Sequence, residues 1–331
     1  MFSIIIPVFN RPEEINELFE SLTHQTYTQD FEIIIVEDGS TIICENIVNL
    51  YINKLNLKYF FKENSGPGNS RNFGMQKASG DYFLIFDSDC IIPANYLEEV
   101  SIFLKKKFYH CYGGPDAAHD SFSDIQKAIN FSMTSVLTTG GLRGKNENIQ
   151  KFQPRSFNMG LSKLAFEKTD GFGNIHPGED PELILKLWEL GYDTALIPKA
   201  FVYHKRRIDW RKFFTQVHKF GKARPILNHW FPKYSKLTFW FPTLFILGLD
   251  LALVLMFFKL YFPVFAYVFY FFLIFISSLF ETKNLKIAFY SIIATFIQFY
   301  GYGIGFFLAQ FKINILKQKP ELAFPELFFR K

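Results

Sequence analysis

Apolar residues come in short runs over 2–8, 32–36, 58–61 and 82–86, and between them apolar positions recur at helical spacing over 13–24, 44–55 and 69–78. Runs of that length predict buried strands, and the alternation predicts right-handed βαβ units around a mostly parallel sheet. Ligands of such sheets bind beyond the carboxyl ends of the strands. The segments "PVFN", "EDGS", "ENSGPGNSRN" and "DSD" all fall there.

Residues 107–235 are less regular. They hold a polar, Gly-containing stretch at 138–148 and a helical pattern over 181–190 that stops at Gly191. Further on, Trp210, Phe213, Phe214, Val217 and Phe220 share one helical face, with Arg211, Lys212, Lys219 and Lys222 on the others. This predicts an amphipathic helix lying in a membrane interface, the alternative being a surface helix packed on the soluble domain. Three apolar stretches follow at 237–258, 261–280 and 287–311, each with the roughly 20 residues needed to cross a bilayer. Asp250 interrupts the first, as an acid buried against another helix or a functional one. The expected organisation is a soluble α/β domain over 1–207, a basic amphipathic segment over 208–236, and an all-α membrane domain over 237–331.

Composition sharpens that division. Between Lys199 and Lys236 stand eleven Lys or Arg residues against one acid, Asp209, directly before the first long apolar stretch. Such a cluster suits the cytoplasmic face of a membrane with anionic head groups, and no DNA-binding or RNA-binding motif accompanies it. Three membrane crossings would place Lys312, Lys317, Lys319, Arg330 and Lys331 on the far side, against the positive-inside preference. One stretch is therefore compatible with a re-entrant or interfacial hairpin. Cys44, Cys90 and Cys111 form no close pair, which fits a reducing compartment rather than a disulfide framework. "MFSIIIPVFN" lacks the basic region and long apolar run of a signal peptide, so the soluble part is expected to stay where it is made.

Candidate chemistry gathers at the strand ends. Asp87 and Asp89 close an apolar strand, and alternation would project both carboxylates to one side. They would hold a divalent cation on phosphate oxygens, or merely end the strand in an Asx turn before Pro93. In "ENSGPGNSRNFG" the glycines suit a phosphate cradle, but Arg71 stands where a dinucleotide fingerprint needs its third glycine. An arginine there better suits a nucleoside diphosphate or a base. In "HPGEDPEL", Pro181 at a first helical position would make Asp180 an N-cap, a role compatible with that of a general base. His204, in "FVYHKRR", would touch a metal or diphosphate, or simply begin the basic surface.

Taken in order, "SIIIPVFNRPEEI", "IIIVEDGS", "ENSGPGNSRNFG", "SGDYFLIFDSDC", "FNMGLSKLAFEKTDGF" and "GEDPEL" resemble the inverting family-2 glycosyltransferases over about residues 1–210. The resemblance implies a GT-A fold, Rossmann-like with a mostly parallel sheet. It also implies transfer of a sugar from a UDP- or GDP-sugar with Mg2+ or Mn2+. By position, Pro7, Phe9, Asp38, Asn64 and Arg71 would line the nucleotide pocket, and Asp87 would face the ribose or a metal-bound water. Asp89 would bind the metal, with Asp87 and His204 beside it. Asp180 would be the general base, with Glu179 adjacent.

Two departures from the family pattern stand out. Glu37 replaces the usual aspartate of "EDGS", and the Gln-x-x-Arg-Trp motif of processive synthases is missing from "TQVHKFGKARPIL". The resemblance therefore implies transfer of one sugar, at the cytoplasmic face of what would be a bacterial inner membrane, to a lipid-linked or saccharide acceptor. The rival expectation is a non-catalytic protein that binds nucleotide sugar and regulates or assists movement of a lipid-linked sugar.

Overall fold

A computed structural model describes residues 1–117, 119, 122–139, 152–205 and 209–329. Most of the 138–148 stretch, as well as Arg206, Arg207, Arg330 and Lys331, lies outside the described residues.

The chain forms two compact units. The first comprises residues 1–119, 145–205 and 328–331. Its strands are β1 (Phe2–Val8), β2 (Phe31–Asp38), β3 (Leu57–Lys62), β4 (Tyr82–Phe86), β5 (Cys90–Ile91), β6 (Cys111–Gly113), β7 (Asp116–Ala117), β8 (Asn158–Ser162), β9 (Thr194–Leu196) and β10 (Val202–His204). Seven of them form a sheet in the order β3-β2-β1-β4-β8-β6-β9, while β5-β10-β7 form a second, smaller sheet. In the large sheet β8 runs antiparallel to both β4 and β6, and the other neighbours are parallel. The expected α/β architecture with a mostly parallel sheet is therefore present.

Helices cover both faces, which is why the strand interiors carry unbroken apolar runs, such as residues 4–6 and 33–36, rather than an alternation. On one side Ile4, Ile6, Ile33, Ile35, Leu84 and Phe86 pack against α1 (Pro12–Thr23), α2 (Glu45–Tyr51) and α4 (Tyr96–Lys106). On the other, Ile5, Ile34, Val36, Phe83 and Ile85 pack with α3 (Pro67–Lys77) and with two later helices. A Cβ at Gly74 would meet Ile5 at 2.7 Å, so α3 sits close on the sheet only because that position is glycine. Because β3, β2, β1 and β4 are parallel, their carboxyl ends share one edge.

The second unit is helical and comprises residues 120–144 and 206–327. It contains α5 (Asp124–Thr134) and α6 (Val136–Thr139), so the expected continuous 1–207 domain is interrupted. After α7 (Lys163–Thr169) and α8 (Glu179–Glu189), which cover the sheet, come the helices α9 (Trp210–Trp230), α10 (Phe241–Phe257), α11 (Phe262–Thr282), α12 (Leu285–Gln310) and α13 (Pro320–Ala323). Among the described residues three stretches are long and apolar enough to cross a membrane: Leu237–Phe257, Phe262–Thr282 and Leu285–Ile315.

The apolar face of α9, assigned from sequence to the membrane interface, is largely taken up within this unit. Phe213 and Val217 are buried with Ile129, Met133 and Ala294, and α12 carries glycines at 301 and 305 where α9 approaches. Polar pairs stitch the bundle: Ser278 to Ser291 (2.8 Å), Thr243 Oγ1 donating to the Gly303 carbonyl (3.0 Å), and Lys286 to Asp124 (2.9 Å). Asp250 is exposed on α10, which excludes burial against a neighbouring helix.

Candidate active site

The strand β4 ends at Phe86, and a turn closed by the Cys90 N–H donating to the Asp87 carbonyl (3.2 Å) carries Asp87 and Asp89. Strand alternation therefore does not govern the pair, yet their carboxylates still converge, because both face one imidazole. His204 lies opposite Cys90 in the β5–β10 pairing. Its Nε2 is 3.2 Å from Asp89 Oδ1 and 3.9 Å from Asp87 Oδ2. The ring stacks on Phe157 with centroids 4.5 Å apart, and its buried Nδ1 has no hydrogen-bond partner.

The second carboxylate oxygen of Asp89 accepts from Arg11 Nη1. Burial disfavours the Arg11 charge, but Asp89 more than offsets this and raises its pKa. Ligand atoms of Asp89, Cys90 and His204 lie within 4.8 Å of one another, with the Cys90 thiol turned to the Phe157 carbonyl at 3.5 Å. The carboxylate oxygens fit Mn2+ or Mg2+, whereas an imidazole nitrogen suits a transition metal better than Mg2+.

Arg71, in the middle of α3, is buried. Its Nη2 donates to Asp87 Oδ1 (2.7 Å), its Nη1 donates to Glu179 Oε1 (3.2 Å), and the guanidinium carbon is 5.3 Å from the centre of the Phe172 ring. Nε has no partner. One buried cation thus joins the turn after β4 to the start of α8.

The helix α8 begins at Glu179 with Gly178 as its N-cap, so Asp180 is not the cap and Pro181 is not first in the helix. Gly178 has φ +138°, a conformation open to glycine, and this starts the helix two residues earlier than the pattern suggested. Glu179 is fully committed: it accepts from Arg71, from His176 Nδ1 (3.0 Å) and from the Gly178 N–H (3.0 Å). Burial would raise its pKa, but His176 and Arg71 prevail and hold it at about 2. Burial likewise works against the His176 charge, and Glu179 overrides it to raise that pKa. Asp180 is pushed the other way, its pKa raised by burial and by the Glu179 charge against the pull of Arg71 and Arg155. Its Oδ1 is buried with no hydrogen-bond partner.

At the carboxyl edge of the sheet, Asp38 ends β2 with both oxygens in use. Lys62 Nζ (2.5 Å) and the Ser65 N–H (2.9 Å) reach one, and the Gly66 N–H (2.9 Å) reaches the other. Asn64 Nδ2 donates to the Asp38 carbonyl at 2.8 Å. Both residues therefore organise the loop entering α3, a task separate from any base contact. Glu37 is buried and accepts from Ser40 Oγ and the Cys44 N–H, tying down the loop after β2. Pro7 is half-buried near the end of β1, and Phe9 just beyond it is 50% exposed.

The structure thus gathers Asp87, Asp89 and His204 in one cluster and joins it through Arg71 to Glu179, with Asp180 next to it. Sequence reasoning missed Arg11, Phe157 and the pairing role of His176. Arg11 directly follows "PVFN", and His176 stands one helical turn before Glu179; those adjacencies were the available signals.

The family model for "Glycosyl transferase family 2" matches residues 3–169, half of the chain. The chain belongs to that family. Among curated relatives of this chain, "Poly(ribitol-phosphate) beta-N-acetylglucosaminyltransferase TarS" of Staphylococcus aureus is 39% identical over 106 residues, covering 31% of this chain and 18% of the relative. "Minor teichoic acid biosynthesis protein GgaA" of Bacillus subtilis is 30% identical over 161 residues, covering 46% of this chain and 31% of the relative. The match thus spans less than a third of either relative. A solved mannosyltransferase, PcManGT from Pyrobaculum calidifontis, in complex with GDP-Man and Mn2+, superposes with a TM-score of 0.56 at 16% identity, over 71% of this chain and 65% of the other. That likeness shows the glycosyltransferase's fold, GT-A.

Proposed function

We propose that this glycosyltransferase is membrane-anchored and inverting, moving one sugar from a UDP- or GDP-sugar to a hydroxyl of a lipid-linked or saccharide acceptor at the cytoplasmic face. The observation that carries the reading is Asp180. Its open, buried oxygen and raised proton affinity suit a base, and it sits beside the Arg71 bridge to the Asp87 turn. In this reading Asp180 takes the acceptor hydroxyl proton as that oxygen attacks the anomeric carbon in line, so no enzyme nucleophile is needed. The logic matches an inverting glycosidase with an alcohol in place of water.

Asp89 and His204, with Asp87 beside them, are the residues that would hold Mn2+ or Mg2+. The cation's contribution is to neutralise the charge of the departing nucleoside diphosphate. Asp38, Asn64, Pro7 and Phe9 would frame the nucleotide, and Arg71 would close its inner wall. The PcManGT complex supports a nucleotide sugar with a divalent ion, and the relatives' names favour a polyol-phosphate type of glycan as acceptor. The three apolar helices support the membrane anchor.

The test is turnover of UDP- and GDP-sugars by the full chain in detergent, with Mn2+ or Mg2+ added. Activity that survives both Asp180→Asn and Asp89→Ala would overturn the assigned roles. Tight nucleotide-sugar binding without transfer to any lipid or glycan acceptor would establish the non-catalytic rival.

A further inference from the structure

Phe328 and Phe329, which follow Leu327, rejoin the sheet unit. Phe328 forms an antiparallel bridge with Ile175, and the Phe329 N–H donates to the Asn174 carbonyl at 3.0 Å. The Phe329 ring lies directly over Gly66, filling the space a Cβ would need, and its centroid is 6.0 Å from that of the His176 ring. Gly66 itself has φ +88°, so the loop beneath the ring adopts a path that side-chain-bearing residues rarely take.

The groups Phe329 touches lead into the two halves of the site. Gly66 is held by Asp38 and precedes α3, which carries Arg71. Residues 174–176 precede α8, which carries Glu179 and Asp180. The two segments also meet directly, since a Cβ at Gly68 would stand 2.8 Å from the Gly173 carbonyl oxygen. Neither 63–66 nor 172–178 belongs to a helix or a strand of the sheet, so neither inherits rigidity from a ladder.

We propose that Phe329 is a positioning residue for sugar transfer, clamping the loop that enters α3 to the loop that enters α8. The clamp lets Arg71 reach Asp87 and Glu179 together and presents Asp180 at a constant place. The proposal rests on the transferase reading of Asp180 and Arg71. A small displacement of such groups suffices to slow chemistry, whereas the proposed donor contacts at Pro7, Phe9 and Asp38 lie outside both loops and are less affected.

The test compares the full chain with Phe329→Ala and Phe329→Leu by amide hydrogen exchange and by transfer kinetics. In Phe329→Ala, exchange over 63–71 and 172–180 rises about tenfold while 2–8 and 31–38 stay protected. Its kcat falls about tenfold with a smaller change in donor KM, and Phe329→Leu recovers most of both. Unchanged exchange in the two loops overturns the clamp, as does a uniform rise that includes 31–38. If the unaltered protein transfers no sugar, the transferase reading fails, while the exchange pattern still decides whether Phe329 holds the loops together.

Discussion

Arg11 pairs with Asp89, so a cation from the chain itself occupies one oxygen of the carboxylate that faces His204. A divalent ion at the proposed metal site would therefore compete with the guanidinium for Asp89. Arg11→Gln should bind Mn2+ severalfold more tightly than the unaltered protein, and His204→Ala should bind it more weakly. Titration calorimetry or Mn2+ paramagnetic resonance reads both without requiring turnover.

Asp180, the proposed base, offers a pH signature. Its pKa is raised above the ordinary 3.8, so its ionised form is lost at a higher pH than for a solvated aspartate. The acid limb of kcat should fall above pH 3.8, and Asp180→Asn should lower kcat by about 10²-fold or more while nucleotide-sugar affinity is kept. A pH–rate profile paired with donor-binding measurements checks this.

Arg71 neutralises two acids at once. Arg71→Met leaves buried Glu179 with His176 as its remaining cationic partner and should cost about 3 kcal/mol of stability. Arg71→Lys should restore only part of this, because a single ammonium cannot fork to Asp87 and Glu179 as two guanidinium nitrogens do. Thermal unfolding of the three proteins in one detergent measures the order.

Glu32, at the opposite end of β2 from the candidate site, predicts acid behaviour. It accepts from Ser3 Oγ (2.6 Å), Lys58 Nζ (2.7 Å) and the Ser79 N–H (2.5 Å), and these bonds outweigh burial to hold its pKa at about 2. A carboxylate depressed on folding contributes stability above its unfolded value and loses it as pH falls through the folded one. That contribution is complete above pH 4.5 and disappears toward about 2. Glu32→Gln should flatten this dependence and cost about 2 kcal/mol at neutral pH, seen in melting curves across the window.

Gly221 marks the close approach of α9 to α12, where a Cβ would press on the Tyr302 carbonyl oxygen and the Phe306 backbone nitrogen. Gly221→Leu should destabilise the helical unit by about 2 kcal/mol. Leucine at Gly191, which has open space around it, would test only the strain of its φ of +79°. Limited proteolysis of the helical unit distinguishes the two.

Local chemistry carried much of this protein in its sequence. The strands Phe2–Val8 and Tyr82–Phe86 begin and end where the apolar runs do, since both faces of each are covered, and the one polar residue among them, Ser3, is buried with its hydroxyl on Glu32. Membrane-capable helices were legible because length and hydropathy are local quantities. Asp180 was legible through its motif, but its place in the helix was not, because the φ of Gly178 depends on the loop around it.

Tertiary structure decided which distant groups meet. Arg11, Asp89 and His204 come from three separate segments, and only the pairing of β5 with β10 brings the imidazole to the carboxylates. An apolar helical face shows that it must be covered but not by what. Hence α9 finds α12, and α5 leaves the sheet unit for the helical one. The return of Phe328 and Phe329 to Asn174 and Gly66 has no periodic signature, since two residues forming one bridge carry no pattern. Such pairings are chosen by the summed burial and hydrogen bonding of the folded chain, and so they appear only once it is assembled.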